Sequence, residues 1–380
     1  MVRGGVSGLT GRPAHVSPAL FHQDFMQLVA LQRLVSQQIS HSRVSNPTDT
    51  VRWLAALQAQ DYLGAKWSIG LRIAGARDAD IDAALNSGTI YRTWAMRGTL
   101  HFVAASDIHW MVALVAPRII AVCARRYREL DLDEPTFARS NDIILRTLGS
   151  GPPLNRTALM AALNQHGIST AGQRAPYLLQ RASLERLICQ GATIRNDPTY
   201  QILPDAGSTL LNKPDALLEL ARRYFRSRSP ATLADFGWWT GLPIAELKRA
   251  ISALDSELLE EEIDGKRYWR HRDTPTSDSA PDAAYLLPGF DEYLLSYKDR
   301  SASVDMAHLK TLTPTNGILP ATMVYQGRVI GRWRRTLQKD KLMVALAPYT
   351  PLDPTQERAF AEAAERYGTF IGLPVQLQNS

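Results

Sequence analysis

Val51-Arg-Trp-Leu-Ala-Ala-Leu-Gln-Ala-Gln60 decides how this 380-residue chain folds. Through Leu57 its apolar residues keep a helical spacing, and at Gln58-Ala-Gln60 the helix gives way to a loop. Alternate side chains of an extended segment share a face, so Gln58 and Gln60 are expected to point into one space. Each amide offers two donors and an acceptor with two lone pairs. Such a pair can hold a water molecule or grip a nucleotide without adding charge. Further on, Thr93-Trp-Ala-Met-Arg-Gly-Thr-Leu-His-Phe-Val103 reads as two extended segments with a turn near Arg97-Gly98. Helices followed by a β-hairpin make a winged helix.

The same plan recurs along the chain. In the first unit, helices near Phe25 to Gln38, Thr48 to Leu57 and Ala79 to Ser87 precede the hairpin Ile90 to Val103, with Asp78 or Asp80 as a cap. A long, mostly apolar helix from Ile108 to Arg128 leads to the second unit. There, Asn155 precedes a helix through Asn164, Gly172 precedes another through Cys189, and Ala192 to Leu203 reads as a wing with Asn196-Asp-Pro198 at its tip. The third unit has helices at Leu217 to Arg226, Thr232 to Thr240 and Ile244 to Leu254, with a turn at Gly241-Leu-Pro243. Strands Leu258 to Ile263 and Lys266 to Arg270 flank Asp264-Gly265, a strong hairpin signal.

A linker of Asp, Pro, Ser and Thr from Asp273 to Asp282 precedes a β-rich part. Its strands are Ala284 to Leu287, Ala321 to Tyr325, Val329 to Arg334 and Leu342 to Leu346, followed by an amphipathic helix, Thr355 to Tyr367, and a last strand, Leu373 to Leu377. A small barrel or curled sheet closes such a set. The expected fold class is mainly α with β: three tandem winged-helix units followed by a small β-barrel. The boundaries are 1–22 for a mobile extension, 23–128, 129–210 and 211–275 for the winged helices, and 276–380 for the barrel with its terminal helix.

Composition sets bounds. With 45% hydrophobic and 21% charged residues the chain is globular, with room for about two to four small domains. Cys123 and Cys189 lack CxxC spacing, which points to a reducing cytoplasm rather than zinc or a disulfide framework. Arg3 and Arg12 are followed by no continuous apolar run, and no stretch is expected to reach the length of a membrane helix. The net charge of +6 favours an anionic partner. Basic clusters at Arg118 to Arg128, Arg222 to Arg228, Lys266 to Arg272 and Arg328 to Arg335 either converge on one cationic surface or are scattered solvated faces. Walker A, Rossmann, His-Glu-x-x-His and Gly-x-Ser-x-Gly motifs are absent, so no metal and no organic cofactor is expected.

The order Leu57-Gln-Ala-Gln-Asp61, Thr93 to Val103, Leu286-Leu-Pro-Gly-Phe-Asp-Glu-Tyr to Ser301, and Asn316 to Arg335 resembles the AlkZ-like family of bacterial DNA glycosylases. The resemblance covers roughly residues 24 to 375. It implies tandem winged helices with a barrel, and a catalytic Gln-x-Gln motif at Gln58 and Gln60. The implied activity is that of a monofunctional glycosylase hydrolysing the N-glycosidic bond of cationic N7- or N3-alkylated purines, bulky adducts and interstrand crosslinks included, in repair or in self-resistance to a genotoxic natural product. The implied partner is double-stranded DNA carrying such lesions, met by a monomer without membrane, in the cytoplasm and on the nucleoid of a bacterium. The competing class is a non-catalytic winged-helix regulator, which would use the same units without chemistry.

Candidate DNA contacts are Arg97 and His101 in the first hairpin, although His101 also reads as a satisfied core residue. In the C-terminal hairpin they are Arg328 at the Gln326-Gly327 tip with Arg332, Arg334 and Arg335 along a strand. The alternative for these arginines is an edge strand kept soluble by charge. Asp61 reads as a cap or salt-bridge partner before it reads as catalytic. Trp53, Trp67 and Trp94 could stack on a base, but their apolar neighbours favour core. Asp291, Glu292 and Arg300 suggest an ion-pair network. Lys66 stands alone near the motif, which argues against lyase chemistry.

Overall fold

The computed structural model of the protein describes residues 18–149, 151–194, 197–205, 210–263, 265–276, 283–312 and 317–379. Helix α1 (Pro18–Ser36) is followed by α2 (Pro47–Trp53), β1 (Ala56–Gln58), α3 (Tyr62–Gly70), α4 (Asp78–Asn86), β2 (Ile90–Trp94) and β3 (Leu100–Ala104). The chain is helical from Pro18, inside the stretch expected to be mobile; the fixed φ of proline suits a first helical turn. Asn46 caps α2 by accepting from the Asp49 N–H at 2.9 Å. The helix stops at Trp53 rather than Leu57, because Ala55 turns left-handed with φ +60 and the chain enters β1 directly. Helix α3 was not foreseen. Asp61 caps it from the Gly64 N–H at 3.1 Å, and residues 64–70 are all buried, so it shows no amphipathic period. Helix α4 starts after Arg77, whose N–H donates to the Asp80 carboxylate at 2.8 Å.

Next come α5 (Ile108–Glu129), α6 (Glu134–Leu148), β4 (Leu154–Asn155), α7 (Arg156–Gln165), α8 (Arg174–Leu184), β5 (Ile188–Ile194) and β6 (Asp197–Ile202). Cys189 lies in β5, not in the helix expected to reach it. The third stretch holds α9 (Lys213–Ser227), α10 (Leu233–Thr240), α11 (Ile244–Ala253), β7 (Leu258–Ile263) and β8 (Lys266–His271). Three times, helices precede an antiparallel hairpin. Asn196 of the expected wing tip, Asp264 of the expected turn and linker residues 277–282 lie outside the described residues. The C-terminal part contains β9 (Ala284–Leu287), α12 (Glu292–Leu295), α13 (Met306–Leu312), β10 (Thr322–Tyr325), β11 (Arg328–Leu337), β12 (Leu342–Pro348), α14 (Pro354–Ile371) and β13 (Val375–Asn379).

The first two hairpins are not separate. Strand β2 meets β5 at Arg92 and Gln190, giving a six-stranded sheet in the order β1-β3-β2-β5-β6-β4. Strands β7 and β8 form a separate two-stranded sheet, and Trp269 of β8 also bridges to Ala231. The C-terminal strands form a five-stranded sheet, β13-β12-β11-β10-β9, in which β13 is parallel to β12 and the remaining pairs are antiparallel. This sheet is open, so the expected barrel is corrected. Phe360, Ala363 and Tyr367 of α14 pack with Leu286, Trp333 and Val344, while Leu31 and Leu34 of α1 pack with Leu287, Val324 and Val329. With both faces covered by helices, the sheet has no need to curl on itself.

The protein is mixed α and β. Contrary to expectation, α5 is long and apolar enough to cross a membrane by length and composition, with a mean hydropathy of 1.5. Half of that stretch is buried inside the molecule, where Trp110, Met111 and Val115 share one core with Leu220, Phe236 and Leu247.

Candidate active site

Gln58 ends β1 directly opposite His101 of β3. Its main-chain N–H donates to Glu292 Oε1 at 2.9 Å, and its side-chain Nε2 donates to Thr99 Oγ1 at 3.4 Å. Its Oε1 is buried and has no partner among the described residues. His101 is fully buried, with Nδ1 2.9 Å from the Thr99 carbonyl and Nε2 unpartnered. Burial pushes the His101 pKa down to about 4; Glu292 opposes this and Arg97 adds to it.

Glu292 anchors the segment from the far end of the chain. Its Oε2 accepts from Arg228 Nη2 at 2.9 Å, Trp239 Nε1 at 2.9 Å and Ser296 Oγ at 2.6 Å. Arg228 also donates to the carbonyls of Leu54 at 2.8 Å and Ala56 at 3.0 Å, so one buried guanidinium fixes the entry into β1. Burial alone would raise the Glu292 pKa, but Arg228, His101, Ser296 and the Gln58 N–H outweigh it and hold the carboxyl at about 2. Next to it, Asp291 takes a bidentate bond from Arg72, with both contacts at 2.9 Å. The network expected from Asp291 and Glu292 therefore exists as two buried ion pairs. Arg300 instead donates to the Leu294 carbonyl at 2.7 Å. Neither Arg228, read from sequence only as the end of a basic cluster, nor Arg72 stands near its acid in the chain, so the sequence does not show these pairings.

Gln60 is exposed, in a bend beyond the end of β1. It lines a cleft of about 390 Å³ with Arg92, Trp94, Leu100, Arg156 and Tyr200. Arg92 is buried; it donates from Nε to the Ala59 carbonyl at 2.8 Å and from Nη1 to Gln190 Oε1 at 2.5 Å. Strand alternation puts Arg92, Trp94 and Leu100 on one face of the hairpin and His101, with Gln58 opposite it, on the other. Strand β1 ends at Gln58; the Ala59 N–H still donates to the Leu100 carbonyl at 2.8 Å, and Gln60 lies in the bend beyond, beside the cleft on the Arg92 face. The two amides therefore flank Ala59 in different settings instead of sharing one space.

The family described as "DNA glycosylase AlkZ-like" matches residues 51–370, a span that holds Gln58, Gln60 and Glu292. The chain belongs to that family. It is an enzyme of the DNA glycosylase class, a hydrolase acting on N-glycosyl bonds, and the regulator reading is set aside. It is 24% identical over 376 residues to the interstrand DNA cross-link repair glycosylase of Streptomyces sahachiroi, covering 91% of this chain and 97% of that protein. The solved structure of Streptomyces sahachiroi DNA glycosylase AlkZ matches with a TM-score of 0.71 at 22% identity, over 93% of this chain and 99% of that one, so the fold is shared.

In this glycosylase the remaining candidates fall into two groups. Arg97 sits in the first hairpin's turn with φ +56 beside Gly98 at +72, and its Nη1 donates to the carbonyls of Trp238, at 3.3 Å, and Trp239. Arg328 donates to the carbonyls of Ser301 at 3.1 Å and Ala302 at 2.9 Å. The turn before it is no free tip. The Gly327 carbonyl accepts from Tyr293 Oη at 2.6 Å, and a Cβ on Gly327 would meet Ala30 at 2.9 Å. Arg335 binds Tyr367 Oη at 2.9 Å and faces Asp61 at 3.7 Å, so Asp61 is both cap and ion-pair partner. Arg334 is exposed and Arg332 half-buried, and neither has an ion pair among the described residues.

Several members of the other basic clusters are paired with acids: Arg125 and Arg126 share Glu129, Arg222 meets Glu219 and Glu257, Arg223 meets Asp107 and Glu219, and Lys266 meets Asp299. Lys66 is buried between Asp78 and Asp82, each at 2.7 Å. Trp67 is core and donates to the Leu286 carbonyl, Trp53 donates to the Ser36 carbonyl, and Trp94 borders the cleft. Among the described residues no group of three His, Cys, Asp or Glu side chains stands together as a metal would require.

Proposed function

We propose that this glycosylase is monofunctional and removes purines already made cationic by alkylation at N7 or N3. One observation carries the reading: the carboxylates tied to the Gln-x-Gln segment are in no position to protonate a leaving base. Both oxygens of Glu292 are engaged and the group is held ionised, while Asp61 is committed to the α3 cap and Arg335. Without a general acid, the base must leave on its own positive charge. In the step proposed, the C1′–N bond breaks with its electron pair passing to the cationic purine, which departs neutral. A water oxygen bonds to C1′ and gives up one proton. Gln58 and Gln60 contribute position and dipoles towards an oxocarbenium-like sugar.

Bulky adducts and crosslinks fit the same reading, since a nucleotide tied to the opposite strand cannot be fully flipped into a deep pocket. The name of the Streptomyces relative supports crosslinks as substrates. Residues 23–128, 129–210 and 211–275 are read as winged-helix units of a cytoplasmic monomer that wraps double-stranded DNA, for repair or self-resistance. The test is incubation with duplexes carrying N7-methylguanine, uracil or 1,N6-ethenoadenine. Release of the cationic base alone is expected, and equal rates on neutral lesions would overturn the account.

A further inference from the structure

We propose that Gln58 Oε1 and His101 Nε2 together hold one water molecule by its two hydrogens, which makes His101 the second holder of the water that attacks the sugar. This rests on the glycosylase mechanism given above. Gln58 and His101 are directly opposed partners, so their side chains stand on one face within reach of a common small molecule.

Thr99 fixes which atoms remain free. Its hydroxyl donates its single hydrogen to the Met96 carbonyl at 3.1 Å, so towards Gln58 it can only accept. The Gln58 amide therefore turns Nε2 to Thr99 and leaves Oε1 over. The Thr99 carbonyl also only accepts, so the hydrogen between it and the His101 ring sits on Nδ1. Burial keeps the ring neutral at physiological pH, and Nε2 then carries a lone pair and no hydrogen. Gln58 Oε1 and His101 Nε2 are thus two acceptors, both buried and both without a donor among the described residues. Two acceptors cannot satisfy each other, and buried acceptors left unmet are costly and rare. Water is the small molecule that brings two donors on one atom.

A water held by both hydrogens turns its lone pairs outward, as a nucleophile must. As the purine leaves with the electron pair of the broken bond, a water lone pair forms the C1′–O bond. The oxygen is then positively charged and passes one proton to His101 Nε2, because a protonated sugar hydroxyl is a far stronger acid than even this imidazolium. Glu292, whose charge is felt at His101, offsets the transient cation against the opposing charges of Arg97 and Arg228, and the proton is then released.

The reference experiment is excision of N7-methylguanine from duplex DNA by the wild-type chain; its failure overturns the parent reading whatever the water site does. Given that activity, His101→Leu, which fills the space without an acceptor, is expected to lower the single-turnover rate by about 10²-fold with DNA affinity unchanged. His101→Gln, which offers an acceptor at similar reach, should recover most of the rate. Gln58→Leu combined with His101→Leu should fall no further than the slower single variant, since both act on one water. Should His101→Leu fail to fold, a high-resolution crystal structure of the wild-type chain decides: a water within hydrogen-bond distance of both Gln58 Oε1 and His101 Nε2 is expected. Absence of that water, full activity in a folded His101→Leu protein, or additive losses in the double variant would overturn the proposal.

Discussion

Glu292 Oε1 accepts the main-chain N–H of Gln58 at 2.9 Å across 234 positions of sequence. The carboxylate thus holds the backbone of the motif while leaving its amide side chain free for chemistry. Its charge is balanced by Arg228, itself bonded to the carbonyls on either side of Ala55.

Glu292→Gln should therefore be costly out of proportion to its size. It leaves the Arg228 guanidinium buried without a counter-charge, and breaking such a pair costs about 3 to 5 kcal/mol. Urea unfolding followed by circular dichroism should show a clear drop in midpoint, with excision reduced as β1 loosens. An unchanged midpoint would mean that the pair does not hold the segment.

Acid should weaken the fold in two stages. The His101 pKa is held at about 4 against 6.5, and that of Glu292 at about 2 against 4.5. In both cases the unfolded chain binds protons before the folded one, so stability falls as pH drops. The His101 contribution is complete above pH 6.5 and is lost down to about 4, amounting to about 3 kcal/mol. Glu292 adds a further loss between 4.5 and about 2. Denaturation midpoints measured across this range should decline less steeply above about pH 4 in His101→Gln than in the wild type.

Gln58→Ala and Gln60→Ala should each raise the excision barrier by about 2 to 4 kcal/mol, the scale of a lost oriented dipole. Neither neutral amide supplies much phosphate attraction, so duplex binding by fluorescence anisotropy should be nearly unchanged. Full single-turnover activity in the double variant would remove the motif from the mechanism.

The arginines of β11 should separate by experiment. Arg332→Ala with Arg334→Ala is expected to flatten the slope of log affinity against log salt by about one unit per lost phosphate contact. Arg328→Ala should leave that slope alone and lower stability instead, because its guanidinium ties β11 to the Ser301 and Ala302 carbonyls. An unchanged slope in the first variant would make this strand structural.

Much of the architecture was legible because its signals are local. The Arg97-Gly98 turn, the Asn155 cap and the hairpin around Gly265 all depend on residues within a few positions of one another. Helix α3 was hidden because it is buried all round and carries no stripe. The open C-terminal sheet was missed for another reason: strand patterns do not say whether α14 will occupy the face that a barrel would enclose. At the site, Gln58 and the acids at 291 and 292 were visible. The setting of the motif was not, since it depends on Arg228, Arg92 and Thr99, which meet it only in three dimensions.

Arg92 gives the fused sheet a mechanical meaning. One guanidinium grips the Ala59 carbonyl in the middle of the motif and Gln190 on the neighbouring hairpin. The motif is thus suspended from the second unit as well as built into the first. A load placed between these hairpins would therefore bear on Ala59, the residue that separates the two glutamines.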